Sequence, residues 1–381
     1  MKALVNGALI LEDGVYKDKV LLFDDKIREI IDISSLDTNM VTEIIDVQGN
    51  YISPGFIDLH IHGSGGFDTM DGSLEALKAI SNTILKHGTT SFLPTTMTMK
   101  LETIYKALDT VREALAIKEL QGARILGAHL EGPFISKSYK GAQQENYILK
   151  PEFDYIKDYL DIIKIITLAP EVEGAKEFIR KTKENSKTIL SIGHTSASYE
   201  EAIGAIEEGI SHCTHLFNAM TPLHHRNPGV VAAVFNSNIT CELIADNLHV
   251  HPELYKLLIK IKGEDNLVLV TDAIRASCMK SGCYDLGGQE VCVKARKAQL
   301  ANGSLAGSVL TLNKAVKNFI EVTSAPMHQV IKLVTLNPAR VIGDDAKKGS
   351  LGLGKDADIV VFDDNIDVKK AFIEGNCLIG G

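Results

Sequence analysis

Pro54-Gly55-Phe56-Ile57-Asp58-Leu59-His60-Ile61-His62-Gly63 reads as a short β-strand running into a loop. Successive side chains of a strand point to opposite faces. Ile57, Leu59 and Ile61 therefore share one face, and Asp58, His60 and His62 share the other. The apolar face suits packing against helices. The other face delivers two imidazoles to one point, which suits a divalent transition metal. Gly63, Gly65 and Gly66 follow at once and let backbone come close to whatever sits there. An isolated His-x-His is more often a pair of hydrogen-bonded core imidazoles. The stretch gains meaning from the rest of the chain.

Downstream of it, strands and helices alternate. Leu74, Leu77, Ile80 and Ile84 have helical spacing, and Gly88 stops that helix. Apolar, β-branched runs then end on Glu131, His194, His215, Asp246 and Asp272, with amphipathic helical segments between them. About eight strand–helix units result. Near-continuous apolar strands alternating with amphipathic helices indicate a parallel sheet. The special residues lie at the C-terminal strand ends, which favours a (β/α)8 TIM barrel over a doubly wound open sheet. Before this region, residues 1–52 are strand-like and turn-rich, with no helical period. After it, residues 343–381 are strand-like again. The expected organisation is a small β-sandwich domain built from both termini (1–52 and 343–381) around a barrel at 53–342. Residues Gly282 to Ala301 interrupt the alternation and read as a hairpin insertion, a lid over the barrel mouth.

The 381 residues are 45% hydrophobic and 23% charged, with a net charge of −9. That is a globular composition with a large buriable core. No basic cluster is present, so a nucleic-acid partner is not expected, and an anionic ligand must be met by locally placed cations. No apolar run is long enough for a membrane span. The first residues lack the apolar segment and cleavage site of a signal peptide. The six cysteines contain no Cys-x-x-Cys pair and read as reduced thiols of a cytoplasmic protein.

His60, His62, Glu131, His194, His215 and Asp272 are all metal-ligand or acid–base types. Any one alone is ordinarily a cap or a hydrogen-bonded core group. Six on one face of a barrel point to a metal that lowers the pKa of bound water and polarises a carbonyl. Asp272 would shuttle the proton from water to the leaving group. Hydrolysis of an amide or similar bond is the reaction class suggested.

The Pro-Gly-Phe-Ile-Asp-Leu-His-Ile-His stretch, the two-ended β-domain and the final strand-end Asp resemble the amidohydrolase superfamily. More narrowly, the chain is similar to the N-acetylglucosamine-6-phosphate deacetylases at several runs. They are His129-Leu130-Glu131-Gly132-Pro133-Phe134, Gly193-His194-Thr195, Thr214-His215-Leu216-Phe217-Asn218-Ala219-Met220, Thr271-Asp272-Ala273 and Leu305-Ala306-Gly307-Ser308. The resemblance spans nearly the whole chain.

It implies Glu131, His194 and His215 as core metal ligands, and Asp272 as general base, then acid. It implies substrate contacts at Gly141, Ala142, Asn218, Ala219, Ala306, Gly307 and Ser308, and phosphate binding by Arg226 and His249. One phosphate-binding residue comes from a neighbouring subunit in this family, so a homodimer is implied. Gln143 stands where many members place a His on the acetyl carbonyl. His60 and His62, which some members lack, suggest a second metal in compensation, with Glu131 bridging the two. The expected cofactor is one or two divalent ions per subunit, drawn from zinc, iron, manganese or cobalt. The expected reaction removes the acetyl group of a phosphorylated amino sugar, N-acetylglucosamine 6-phosphate. The alternatives are another amidohydrolase acting on a cyclic amide, or a barrel serving only as a binding scaffold.

Overall fold

The computed structural model describes residues 1–117 and 121–380. Its centre is a ring of parallel strands. They are β1 (Phe56–Ile61), β2 (Thr89–Pro94), β3 (Ala128–Glu131), β4 (Ile163–Leu168), β5 (Ile189–Ile192), β6 (His212–Cys213), β7 (Thr240–Ile244) and β8 (Leu267–Val270). From β3 to β8 each strand pairs in parallel with the next. β1 pairs with β2. Bridges Thr95↔His129 and Ile61↔Ala273 close the ring between β2 and β3 and between β8 and β1. The fold is a (β/α)8 barrel, as the alternation predicts.

Every residue of β1 is buried. Ile57, Leu59 and Ile61 join the large apolar core, and Asp58 and His60 face the barrel axis among other polar groups. The strand expected over Arg124–Leu130 is broken in two, Arg124–Ile125 and β3. The break falls at Gly127, φ +143°, where a Cβ would lie 2.5 Å from the Lys164 side chain and 2.6 Å from the Ile162 carbonyl. The link from β3 to β4 carries short 3-10 turns, such as Lys137–Tyr139 and Glu145–Tyr147, and no α-helix. That link folds over the barrel mouth.

Helices elsewhere follow the expected pattern. Tyr199–Glu208 starts with a capping box between Ser198 and Glu201, and Gly209 ends it. Strands from both chain ends form a sandwich of two sheets. Leu4, Leu21, Phe23, Ile52, Ile359 and Phe372 are among the residues of its separate core. Ile359–Phe362 pairs antiparallel with Tyr51–Pro54, the strand that leads into β1 through Gly55. The sandwich thus anchors the chain just before the His60/His62 strand.

The insertion is a three-stranded antiparallel unit, Gly282–Leu286, Gln289–Lys294 and Lys297–Leu300. Its register sets Cys283 opposite Cys292, and the two are joined in a disulfide. This corrects the reading of all six cysteines as thiols. The pairing depends on hairpin register, which cysteine spacing alone does not reveal. Among the described residues, no helix is long and apolar enough to cross a membrane.

Candidate active site

The strand ends converge as the sequence pattern requires. Glu131 is the last residue of β3, and His194, His215 and Asp272 lie just beyond β5, β6 and β8. These last three adopt left-handed backbone, with φ of 48°, 29° and 47°. Such conformations cost non-glycine residues of order 1–3 kcal/mol each and persist only where their surroundings enforce them. Backbone bonds do so here: Asp272 N–H donates to the His60 carbonyl at 2.8 Å, and the Asp272 carbonyl accepts from Ser308 N–H at 2.7 Å.

Glu131 Oε1 lies 3.2 Å from His194 Nε2, 3.1 Å from His215 Nε2 and 3.4 Å from His60 Nε2. Its Oε2 lies 3.3 Å from His62 Nε2. Asp272 Oδ1 is 3.2 Å from His62 Nε2 and 3.5 Å from His60 Nε2. Glu131 therefore touches both imidazole pairs, and Asp272 stands on the His60/His62 side.

The proton on each ring is placed by the bond its other nitrogen makes. His60 Nδ1 is 2.9 Å from Glu242 Oε2, His194 Nδ1 3.0 Å from the Tyr139 carbonyl and His62 Nδ1 3.3 Å from the Thr95 carbonyl. All three acceptors are oxygens, so in the neutral rings the Nδ1 atoms carry the protons and the Nε2 atoms, open to a proton or a metal, face Glu131 and Asp272. His194 and His215 Nε2 are only 3.1 Å apart, and His60 Nε2 is buried without a hydrogen-bond partner. Lone pairs and carboxylate oxygens converging at these distances repel unless a cation lies among them. Imidazole and carboxylate donors suit a divalent metal, and these residues fit one. The ligand-type groups fall into two such sets, His60/His62/Glu131 and Glu131/His194/His215.

The electrostatics agree. Burial opposes charge on Glu131, but the imidazoles, His60 foremost, outweigh it and hold the carboxyl well below the usual range. Burial likewise opposes charge on Asp272, and His60 and His62 keep its pKa low. Against burial, Glu242, Glu131 and Asp272 push His60 up to about 9. The cluster attracts cations, and protons compete with metal for the same nitrogens.

Above these groups lies a cavity of about 310 Å³. Gly141, Ala142, Gln143, Asn218, Ala219, His249 and Gly307 line it, with His62, Glu131, His194, His215 and Asp272. Gly307 is required as glycine: at φ +55° its Cβ would lie 2.5 Å from Ile274 and 2.9 Å from the Asp272 carbonyl. Gln143 is buried. Its Oε1 accepts from Thr98 N–H at 2.6 Å and its Nε2 donates to Glu131 Oε2 at 2.7 Å. Its amide is thereby oriented with nitrogen toward the ligand cluster.

Three expected contacts fall elsewhere. Ala306 is buried under the hairpin. Ser308 is buried with its hydroxyl on the Thr271 carbonyl. Both follow from packing around Gly307, which alone of the three faces the cavity. Arg226 is exposed and lines a separate groove with Ser198, Tyr199 and His224. It does not line the cavity of its own chain: residues 222–227 are all exposed, on the side of that other groove. Cavity residues absent from the sequence reading are Met97, Ser138, Tyr139 and Leu286, and Leu305, quoted there only as part of a matching run, lines the cavity too. They come from the β3–β4 link, the hairpin and its neighbours, where no strand-end signal marks them.

A closed (β/α)8 barrel with imidazoles and carboxylates gathered at its C-terminal mouth has the make-up of a metal-dependent hydrolase. The Amidohydrolase family model matches residues 51–378, and the chain belongs to that family. More particularly, it is 39% identical to the N-acetylglucosamine-6-phosphate deacetylase of Bacillus subtilis (strain 168), over 97% of this chain and 95% of that one. The crystal structure of N-acetylglucosamine-6-phosphate deacetylase from Pasteurella multocida superposes with a TM-score of 0.93, 36% identity and 99% coverage of both chains. A mutant of the Mycobacterium smegmatis N-acetyl-D-glucosamine-6-phosphate deacetylase, in complex with N-acetyl-D-glucosamine-6-phosphate, superposes with a TM-score of 0.91 at 27% identity over 99% of both chains.

Proposed function

We propose that this chain is a metal-dependent deacetylase that hydrolyses N-acetylglucosamine 6-phosphate to glucosamine 6-phosphate and acetate, in cytoplasmic amino-sugar breakdown. The observation that carries this reading is the convergence of His62, His194, His215, Glu131 and Asp272 on the floor of a cavity whose wall holds His249, with His60 buried against Glu131 and Asp272 beneath it.

His194 and His215 with Glu131 would hold one divalent ion, and His60 and His62 with the same Glu131 a second, from zinc, iron, manganese or cobalt. When bound, the metal supplies Lewis acidity, lowering the pKa of water and polarising the acetyl carbonyl. Asp272, kept ionised, accepts the proton of the attacking water. It then returns that proton to the amide nitrogen as the C–N bond breaks. General acid–base help of this kind is worth roughly 100- to 10,000-fold. Gln143, held by Thr98 N–H, keeps Glu131 in place with one amide hydrogen and has the second free for the carbonyl. The backbone of Gly141–Ala142, Asn218–Ala219 and Gly307 positions the sugar.

At the far end of the sugar, His249 binds the phosphate. Its Nδ1 lies 2.8 Å from Asp246 Oδ2. Burial opposes its charge, but that bond and the Asp246 charge raise its pKa above the ordinary histidine value. Arg226 is the second phosphate ligand and reaches the cavity of the neighbouring subunit in a homodimer. Its outward loop, with Leu223 57% exposed, supports this.

The test is acetate release from metal-loaded protein on N-acetylglucosamine 6-phosphate, its C4 epimer, unphosphorylated N-acetylglucosamine and a cyclic amide. Preference for the first is expected. Faster hydrolysis of the cyclic amide would overturn the assignment.

A further inference from the structure

Glu242 is wholly buried inside the barrel, on the inward face of β7 with Thr240. Burying a carboxylate costs several kcal/mol unless it is paired and hydrogen-bonded. No Lys or Arg serves it among its described hydrogen bonds and ion pairs. Its partners are the His60 ring at 2.9 Å, the His215 backbone N–H at 3.0 Å, both on Oε2, and His212 Nε2 at 3.4 Å on Oε1. His212 is itself anchored, its Nδ1 2.6 Å from Thr240 Oγ1.

Two of these three partners belong to the ligand cluster, one from each set. The ring bond is the telling one. His62 and His194 rest their Nδ1 protons on neutral carbonyls, whereas His60 rests its own on a carboxylate. A carboxylate behind a ligand imidazole fixes its tautomer and raises its basicity. At the other edge of the same ring, Nε2 is buried, unpartnered and aimed between Glu131 and Asp272. The His60/His129/Glu242 grouping is not a third cation site, because both His129 nitrogens are engaged, with the Leu59 carbonyl and Thr167 Oγ1.

From this geometry we infer that Glu242 is a positioning residue for the second metal, holding His60 as an oriented, strongly basic ligand while its bond to His215 N–H ties the two ligand sets together. The inference rests on the two-metal reading above and can fail separately from it.

The test uses full-length protein stripped with chelator and titrated with Zn²⁺ against a competing chelator, with bound metal counted by elemental analysis. Four variants are compared with wild type: His60→Gln, Glu242→Gln, Glu242→Ala and the Glu242→Gln/His60→Gln double. Gln at 242 can keep both Oε2 contacts through its one oxygen while it removes the charge and puts an NH2 where Oε1 faces His212 Nε2; Ala removes all three contacts. Outer-shell substitutions typically weaken metal affinity 10- to 100-fold. Glu242→Gln should therefore weaken the second equivalent about 10-fold, with the first equivalent and the apoprotein melting temperature kept, and Glu242→Ala, which also leaves the buried His60 and His215 N–H groups unpaired and so lowers the melting temperature, should weaken it about 100-fold. The double variant should bind metal no worse than His60→Gln alone. If His60→Gln loses one equivalent while Glu242→Gln and Glu242→Ala hold both within threefold of wild type, Glu242 has no such role. Loss of both equivalents with a collapsed melting temperature in both Glu242 variants would make it a folding residue, and likewise overturn the inference. If His60→Gln itself keeps two equivalents, the two-metal reading fails first.

Discussion

The two ends of the cavity are built differently. At the floor, six ionisable side chains from five strands of one chain meet within hydrogen-bonding distances, all buried and three on strained backbone. At the end proposed for the phosphate, His249 stands on the wall beside Asp246, while Arg226 lies on an exposed loop facing another groove. In the proposed reaction the floor would carry the bond-breaking chemistry, which needs charges fixed in a low-dielectric place before substrate arrives. The far end needs only to recognise a dianion, and an exposed arginine fork serves that once a second surface meets it. Damage at the floor should appear in turnover, and damage at the far end in substrate preference.

Asp272→Asn tests the floor most severely. Acetate release should fall on the order of 100- to 10,000-fold, because an amide cannot accept the water proton. Metal content and melting temperature should stay near wild type. Near-normal turnover would remove Asp272 from the chemistry. Replacing His60 with Gln and His62 with Asn together should remove one metal equivalent and most of the activity, read by elemental analysis beside acetate release. Full activity with one equivalent in unmodified protein would leave these two histidines as bystanders.

The far end predicts smaller and more selective losses. Arg226→Ala and His249→Ala should each cost about 1.5–3 kcal/mol in kcat/KM on the phosphorylated sugar, roughly 10- to 150-fold. The unphosphorylated sugar should barely notice. Mixing Arg226→Ala chains with Asp272→Asn chains sharpens the contrast. If the arginine crosses a dimer interface, mixed dimers contain one intact site and regain activity that neither variant has alone. No recovery after subunit exchange would show that Arg226 does not serve the neighbouring subunit's site.

The mildest effect concerns pH. His249 is held protonated above its ordinary value by Asp246, against the opposing pull of burial. A raised folded-state pKa adds stability that is complete below the unfolded value near 6.5 and is lost as pH rises through the folded value. The phosphate-binding cation disappears over the same alkaline interval. KM for the phosphorylated sugar should therefore climb on that side, with little change for the unphosphorylated sugar. Parallel pH profiles on both substrates would detach His249 from the phosphate.

Much of this architecture was legible in the chain. Strand alternation has a period of two, so the face of His60 and His62 follows from their spacing before any neighbour is known. Runs of β-branched residues ending on Glu131, His194, His215 and Asp272 mark strand ends, and a parallel barrel sends all such ends to one mouth. The two-ended β-sandwich was readable from turn-rich strands at both termini. Other features depend on partners distant in sequence. Glu242 looks like a stray acid within a strand until closure of the barrel brings His60 beside it from 182 residues away. Cys283 and Cys292 pair only because the hairpin register sets them opposite. Gln143 meets Glu131 because the β3–β4 link folds back over the mouth instead of forming a helix. Arg226 sits beside the matched family segments, yet its loop direction turns it away from its own cavity. Local pattern determines which face a side chain takes, since that is a property of the backbone repeat. Which groups meet across the barrel was decided by register, closure and loop path, and those belong to the whole fold.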